Sequence, residues 1–265
     1  MKHFSFMLID PPSEWGGNIQ DMFNFIRSNG YDGIELNLSQ ELIANIDEVK
    51  EAADRNNLQI VSMLTGQSYL EGLCLASPEL QIRQQAVTRL KNNINLASSL
   101  NSILVVGLLQ GLRSDESDSI IANQRICSCL QEIGDVALDN DVDIVIEPVN
   151  HLQVGFNNTV QEVKDLIQSI GSEAFYPMVD TIHMNIEERT LHQPIYSCGS
   201  KLRHVHLCES NGGLPGTGGI NFAMVLEVLK RIQYPYFSSV KVYRNTNLKE
   251  AIPKSIEFFK KALGL

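Results

Sequence analysis

The segment VDIVIEP at residues 142–148 has the pattern that decides the fold. Its centre, residues 144–146, is an unbroken apolar run, which is typical of a parallel strand buried on both faces. One acidic residue, Glu147, follows the run and precedes Pro148. The segment therefore predicts a buried strand that carries a single polar group near its C-terminal end.

Similar apolar runs recur along the whole chain and alternate with longer amphipathic stretches, such as residues 19–30, 77–100 and 117–140. Eight strands that are each followed by a helix, within about 250 residues, are the count for a closed (β/α)8 barrel. We therefore predict an α/β fold, a TIM barrel, as one domain over residues 1–265. The candidate strands are residues 4–10, 32–38, 58–64, 102–108, 142–148, 176–181, 202–208 and 237–243.

Composition limits the partners and the compartment. The net charge is 21 − 31 = −10, which argues against nucleic acid as a partner because such binding draws on Lys and Arg. The first apolar stretch, residues 4–9, is too short for a signal sequence or a membrane span. The five cysteines are odd in number and contain no CxxC pair. These features predict a cytoplasmic protein with reduced cysteines that binds neither nucleic acid nor membrane.

Four of the predicted strands in the second half of the chain end in a polar residue: Glu147, Asp180, His206 and Lys241. A buried ionisable group is costly unless it is paired or binds a metal. Two carboxylates and an imidazole on successive strands form an oxygen and nitrogen ligand set for a divalent metal. Lys241 has the opposite sign and is no ligand while it is protonated.

Four histidine and lysine positions need an orientation. His183 follows Asp180 in DTIH and is expected to share its cavity. Of the two histidines in HVH, we expect only His206 to face the barrel interior and His204 to face the helices. Lys241 in SVKVY is expected to point inward, although the opposite register is open.

Six segments in order resemble the sugar phosphate isomerase/epimerase superfamily, which is xylose isomerase-like, and its keto-sugar 3-epimerase branch. The resemblance covers nearly the whole chain. It implies a TIM barrel enzyme of carbohydrate metabolism that acts on a small sugar, and family members are often dimers or tetramers. The segments are GYDGIEL (30–36), IEPVN (146–150), DTIHMNIEE (180–188), HVHLCESN (204–211), PGTGGINF (215–222) and SVKVY (239–243).

The resemblance also implies a metal site and a reaction. The family holds a divalent ion (Mn, Mg, Co or Zn) with a Glu, an Asp, a His and a final Glu, and Glu147, Asp180 and His206 match the first three. The ion polarises a ketose while two glutamates move the proton next to its carbonyl. Glu147 would be one of these catalytic residues, and Lys241 stands in place of the other.

The expected substrate contacts are His183, Glu35 in GYDGIEL and Asn150 in IEPVN. Two departures from the epimerase pattern accompany Lys241. His151 and Gln153 stand where Arg and an acidic residue are frequent, and Gly212 stands where an arginine is frequent.

Lys241 leaves three alternatives open. It could lose its proton and act as base or ligand, it could take the electrostatic role of the metal and pair with Glu147 and Asp180, or it could swing away and leave a three-ligand ion. The metal is therefore absent in one alternative. A metal-free or non-catalytic sugar-binding protein of the same fold is the main rival function. A nuclease related to endonuclease IV is disfavoured, because no histidine lies between residues 4 and 150.

Overall fold

The eight predicted strands form a closed parallel barrel in chain order, β1 to β8, in a computed structural model that describes residues 3–9, 18–244 and 247–264. The predicted TIM barrel is confirmed. Residue 10, at the end of the first predicted strand, lies outside the described residues. The strands are β1 (Phe4–Leu8), β2 (Gly33–Asn37), β3 (Gln59–Leu64), β4 (Ile103–Val106), β5 (Ile144–Ile146), β6 (Phe175–Asp180), β7 (His204–Cys208) and β8 (Ser238–Lys241).

Helices separate the strands. The long ones were predictable from their amphipathic period, whereas several helices of five to seven residues are too short to give one. The helices are α1 (Ile19–Ser28), α2 (Gln40–Ala44), α3 (Ile46–Arg55), α4 (Gly66–Leu70), α5 (Leu80–Ser99), α6 (Ser119–Asp139), α7 (Val160–Ile170), α8 (Thr181–Glu187), α9 (His192–Cys198), α10 (Phe222–Arg231) and α11 (Leu248–Ala262). Within the described ranges, none of these helices has the length and apolar character that crossing a bilayer requires.

The chain divides into two compact units, residues 1–61 with 179–265 and residues 62–178. In the first unit, β1 pairs with β2 and β8, and β7 pairs with β8 in a register that sets His206 beside Ser239 and Cys208 beside Lys241. In the second unit, β4 pairs with the β3 segment from residue 62 and with β5. The organisation as a single domain stays a prediction.

Strand β5 shows how the sequence sets the point at which a site residue leaves the barrel wall. All three of its residues are fully buried. The strand ends before Glu147, whose backbone N–H still donates to Val106 O at 2.9 Å. Pro148 has no N–H to continue the ladder. The chain therefore turns at Glu147 and carries its carboxylate at the C-terminal end of the strand.

Candidate active site

Asp180 is the centre of a buried polar cluster in the first unit. It is the last residue of β6 and the N-cap of α8, where its Oδ1 accepts a hydrogen bond from Ile182 N at 3.0 Å. Its Oδ2 lies 2.7 Å from Lys241 Nζ, 3.3 Å from His206 Nδ1 and 3.7 Å from His183 Nε2. The carboxylate is wholly buried, yet three groups that can carry positive charge surround one of its oxygens.

These neighbours decide the charge of Asp180. Burial alone would raise its pKa, because it disfavours the charged carboxylate. Lys241, His183 and His206 outweigh burial and hold the pKa of Asp180 well below its usual range. Asp180 is therefore ionised at neutral pH and stays so in mild acid.

Lys241 points into this cluster, as expected from an inward register. Its side chain is 11% exposed and its Nζ donates to Asp180 Oδ2. The structure therefore does not show the alternative in which the Lys241 side chain swings away from the site. The ammonium also lies 5.9 Å from the ring centroid of Tyr243, two residues further along the chain.

Glu35 on β2 supports His206 from the other side. Its Oε1 lies 2.9 Å from His206 Nε2 and 3.3 Å from His204 Nε2, and its Oε2 has no hydrogen-bond partner among the described residues. Burial raises its pKa, but His206 and His204 outweigh burial, so that the pKa of Glu35 lies well below its usual range. Glu35 is wholly buried beneath the histidines. These contacts favour a role in orienting His206, and the substrate contact of Glu35 stays a prediction.

The expected orientation of His204 is wrong. His204 and His206 both contact Glu35, and their ring centroids are 5.0 Å apart. Side chains alternate along a strand, so residues two apart share a face. The HVH motif therefore places both imidazoles inside the barrel, and His204 is a site residue that the sequence analysis missed.

Glu147 and Asn150 belong to the second unit. Glu147 is 5% exposed, and its side chain packs so closely on Gly107 that a Cβ there would lie 2.6 Å from Oε2. Asn150 is buried, and its Oδ1 accepts from Leu152 N at 3.1 Å, which shapes the turn after IEPVN. The roles of both residues stay predictions.

A second missed residue, Glu209, organises the loop after β7. It is wholly buried, and its two carboxylate oxygens accept from the backbone N–H groups of Ser210, Gly216 and Ile220 at 2.8–3.0 Å. These hydrogen bonds satisfy the buried carboxylate and tie the glycine-rich stretch to the end of β7. The signal in the sequence was an acidic residue that follows an apolar strand and precedes a glycine-rich stretch.

Gly212, at the position where the resembling family often has arginine, is packed under an aromatic ring. A Cβ on Gly212 would lie 2.8 Å from the Tyr243 ring, and its φ is +70°. Its carbonyl accepts from the backbone N–H groups of Tyr243 and Arg244, both at 3.0 Å. Tyr243, which is 40% exposed, therefore covers the loop after β7 and stands beside the Lys241 ammonium.

Candidate metal-ligand groups are present, but Lys241 opposes the implied ion. Glu35, His204 and His206 each offer a ligand atom within 4.8 Å of the others. His206 Nδ1 and Asp180 Oδ2, 3.3 Å apart, have the spacing of two ligands on one ion. A dication about 4 Å from the ammonium on that same oxygen would be repelled by roughly 8 kcal/mol at an effective dielectric constant of 20. An ion held jointly by Asp180 and His206 therefore does not fit while Lys241 holds Asp180.

Residues 23–262 match the family described as Xylose isomerase-like TIM barrel. The chain belongs to the xylose isomerase-like TIM barrel family. This match confirms the resemblance found in the sequence and agrees with the closed barrel of the structure.

The relatives in this family are sugar epimerases. A D-psicose 3-epimerase from Enterocloster bolteae is 28% identical over 83% of this chain and 75% of its own length. A 3-dehydro-D-guloside 4-epimerase from Escherichia coli is 26% identical over 82% and 84%. The predicted class, a sugar isomerase or epimerase, is confirmed at this level.

Solved structures of sugar epimerases have the same fold. A 3-keto-D-glucoside 4-epimerase from E. coli superposes with a TM-score of 0.86 over 98% of this chain and 99% of that chain, at 20% identity. An L-ribulose 3-epimerase gives a TM-score of 0.87 over 100% and 95%, at 21% identity.

Proposed function

We propose that this protein binds a ketose or a related sugar and moves the proton next to the carbonyl, as an isomerase or epimerase. The observation that carries the proposal is the buried cluster of Asp180, His183, His206 and Lys241 in a barrel whose relatives are sugar epimerases. TIM-barrel enzymes carry their sites at the C-terminal ends of the strands. Asp180 and Lys241 end β6 and β8, and Glu147 follows β5.

The proposed base is Glu147. Its carboxylate takes the proton from the carbon next to the carbonyl, and the electrons of the C–H bond move onto the carbonyl oxygen to give an enediolate. As the carbonyl re-forms, delivery of a proton to the opposite face of the same carbon gives the epimer, and delivery to the neighbouring carbon gives the aldose–ketose isomer. A low-exposure position favours this role, because a partly desolvated carboxylate is a stronger base than one in water.

Lys241 is proposed to stabilise the enediolate. A fixed ammonium near the developing oxygen charge lowers the barrier, because the charge is compensated without reorganisation of solvent. Asp180 holds this ammonium at 2.7 Å on one side. His183, which is 2% exposed and lies at the start of α8, and Asn150 are the proposed contacts to sugar hydroxyls.

The first test is isotope exchange with a panel of ketoses in D2O, followed by proton NMR. We expect loss of the signal of the proton next to the carbonyl for at least one sugar, and loss of this exchange in Glu147→Gln. Glu132→Gln, which changes an exposed carboxylate on α6, is the matched control and should exchange at the wild-type rate. A sugar that binds by calorimetry but never exchanges would instead support the rival, non-catalytic sugar-binding protein.

A further inference from the structure

We propose that the Lys241 ammonium is the built-in cation of this site and takes the place of a divalent metal ion. The protein then needs no metal to hold its site together or to bind a sugar. The statement about the sugar rests on the proposed function, whereas the statement about the cation does not.

The first support is that both oxygens of Asp180 already accept a hydrogen bond. Oδ1 accepts a hydrogen bond from the backbone N–H of Ile182 in the first turn of α8, and Oδ2 accepts one from Lys241 Nζ. Both distances, 3.0 and 2.7 Å, are those of direct hydrogen bonds. A metal ion on either oxygen would compete with one of these donors, and on Oδ2 it would lie next to the ammonium, at a carboxylate that is fully buried.

The second support is the state of His206. Its Nε2 faces Glu35 Oε1 at 2.9 Å, and its Nδ1 faces Asp180 Oδ2 at 3.3 Å. A ligating imidazole gives one nitrogen to the ion and donates the other N–H to a carboxylate. Here Nδ1, the nitrogen that would bind the ion, faces Asp180 Oδ2, which already accepts a hydrogen bond from Lys241 Nζ. The ammonium therefore stands where an ion shared by His206 and Asp180 would bind.

The third support is that the backbone fixes the position of the ammonium. Lys241 is paired with Cys208 in the ladder between β7 and β8, so its Cα belongs to the barrel wall. The next inward position on this side, Tyr243, is tied by its N–H to Gly212 O. The lysine side chain leaves a rigid strand and ends at a buried carboxylate, whereas a surface lysine samples many rotamers.

The consequence is a site whose charge is set by the chain alone. Where the resembling family has a carboxylate that adds a negative charge and an ion that adds two positive ones, this chain has one ammonium. The positive group is therefore part of the chain and does not depend on the supply of metal in the cell. Chelators should leave both the fold and sugar binding unchanged.

The test is metal content and metal-induced stabilisation of the purified full-length protein, neither of which depends on turnover. Elemental mass spectrometry after dialysis against Mn, Co, Mg or Zn salts, with excess salt then removed, gives ions per chain, and thermal unfolding with and without each salt gives the shift in Tm. We expect wild type to retain well below one ion per chain and to show no shift. Lys241→Glu should bind about one ion per chain and gain Tm with the same salt.

Two further variants make the result specific. Lys230→Glu makes the same charge change on the exposed end of α10 and should behave as wild type. Lys241→Met removes the ammonium without adding a ligand and serves if Lys241→Glu fails to fold; it should bind metal more tightly than wild type. One ion per chain in wild type, or no gain of metal in either Lys241 variant, would overturn the inference.

The outcomes separate this inference from the proposed function. If the protein binds no metal and exchanges no ketose proton, the result supports Lys241 as the cation of the site and refutes the proposed isomerase or epimerase activity. A stoichiometric ion in a protein that does exchange the proton would refute Lys241 as the replacement for the metal and support the isomerase or epimerase.

Discussion

The contact between Asp180 and Lys241 is the single interaction on which most of the site depends. A carboxylate that is wholly buried and an ammonium that is 11% exposed form a pair at 2.7 Å. Burial of two charges costs several kcal/mol for each, and their attraction repays this cost only when both partners are present. Such a pair contributes little net stability, but the loss of one partner strongly lowers the free energy of unfolding.

We therefore expect Asp180→Asn to lower the free energy of unfolding by about 3 kcal/mol, because it removes the charge that faces the Lys241 ammonium while its amide oxygen can still cap α8. Urea unfolding followed by circular dichroism measures the change. The double variant Asp180→Asn with Lys241→Met should recover at least about 1 kcal/mol relative to the sum of the single variants. Glu51→Gln, which breaks an exposed ion pair with Arg55 on α3, should change stability by less than about 0.5 kcal/mol. Simple additivity of the two single changes would contradict the pairing.

The residues of the site show what the sequence could reveal. Asp180 and Lys241 were predictable as strand-end polar groups, since each follows an apolar run. The support of His206 by Glu35 was not, because the two lie 171 positions apart and no local pattern links them. His204 was misplaced although the information was present, because a spacing of two along a strand means the same face.

The loop between β7 and α10 and the end of β8 form one structural element around the site. Gly212 connects them, since its carbonyl accepts two backbone N–H groups from the chain after β8 and the Tyr243 ring packs on its Cα. Its φ of +70° is a conformation in which an L residue is strained. The glycine is therefore required both for backbone conformation and for contact with the ring.

We expect Gly212→Ala to cost about 2–3 kcal/mol, more than backbone strain alone, which costs about 1 kcal/mol. Gly171→Ala provides the matched control, because Gly171 has almost the same φ, +71°, and nothing within 4 Å of the added Cβ. Chemical denaturation of both variants gives the difference, which measures the contact with the Tyr243 ring. In a Tyr243→Ala background the two alanine variants should cost the same. Equal costs in the wild-type background would refute the packing of the ring on Gly212.

The prediction of secondary structure succeeded and failed for physical reasons. All eight strands were found because short apolar runs alternate with breaks throughout the chain. Most of their ends were predicted too far out, as at β5, which was predicted over residues 142–148 but extends only over Ile144–Ile146. Helices such as α2, α4 and α8 have five to seven residues, so hydrophobic periodicity cannot mark them.

The cysteines report on the integrity of the whole chain. Four of the five are buried and all are free of disulfides. Burial raises the pKa of Cys74 to about 12, assisted by Asp115, and burial raises the pKa of Cys129 to about 11. Because only the thiolate reacts quickly, the folded protein should protect these side chains.

We expect titration with a disulfide reagent at pH 8 to modify Cys127 first, because it is half-buried, and Cys74 and Cys129 only as the chain unfolds. All five should react in denaturant. The raised pKa values also fix the sign of the pH dependence: the neutral thiols contribute stability below the unfolded-state pKa of about 8.5, and this contribution is lost as pH rises toward 11–12. Cys127→Ala should remove the fast phase. Rapid modification of Cys74 in the native protein would contradict its burial.

The carboxylate of Glu209 has a consequence for how this barrel can change its substrate. It binds three backbone N–H groups of the loop after β7, and a Cβ on Gly218 would lie 2.6 Å from its Oε1. The path of the loop is thus fixed by backbone amide groups, which every residue type except proline supplies, and by one buried carboxylate. The loop is a ready platform for laboratory evolution, where libraries that keep Glu209, Gly212 and Gly218 and randomise the rest would vary sugar selectivity on an intact scaffold.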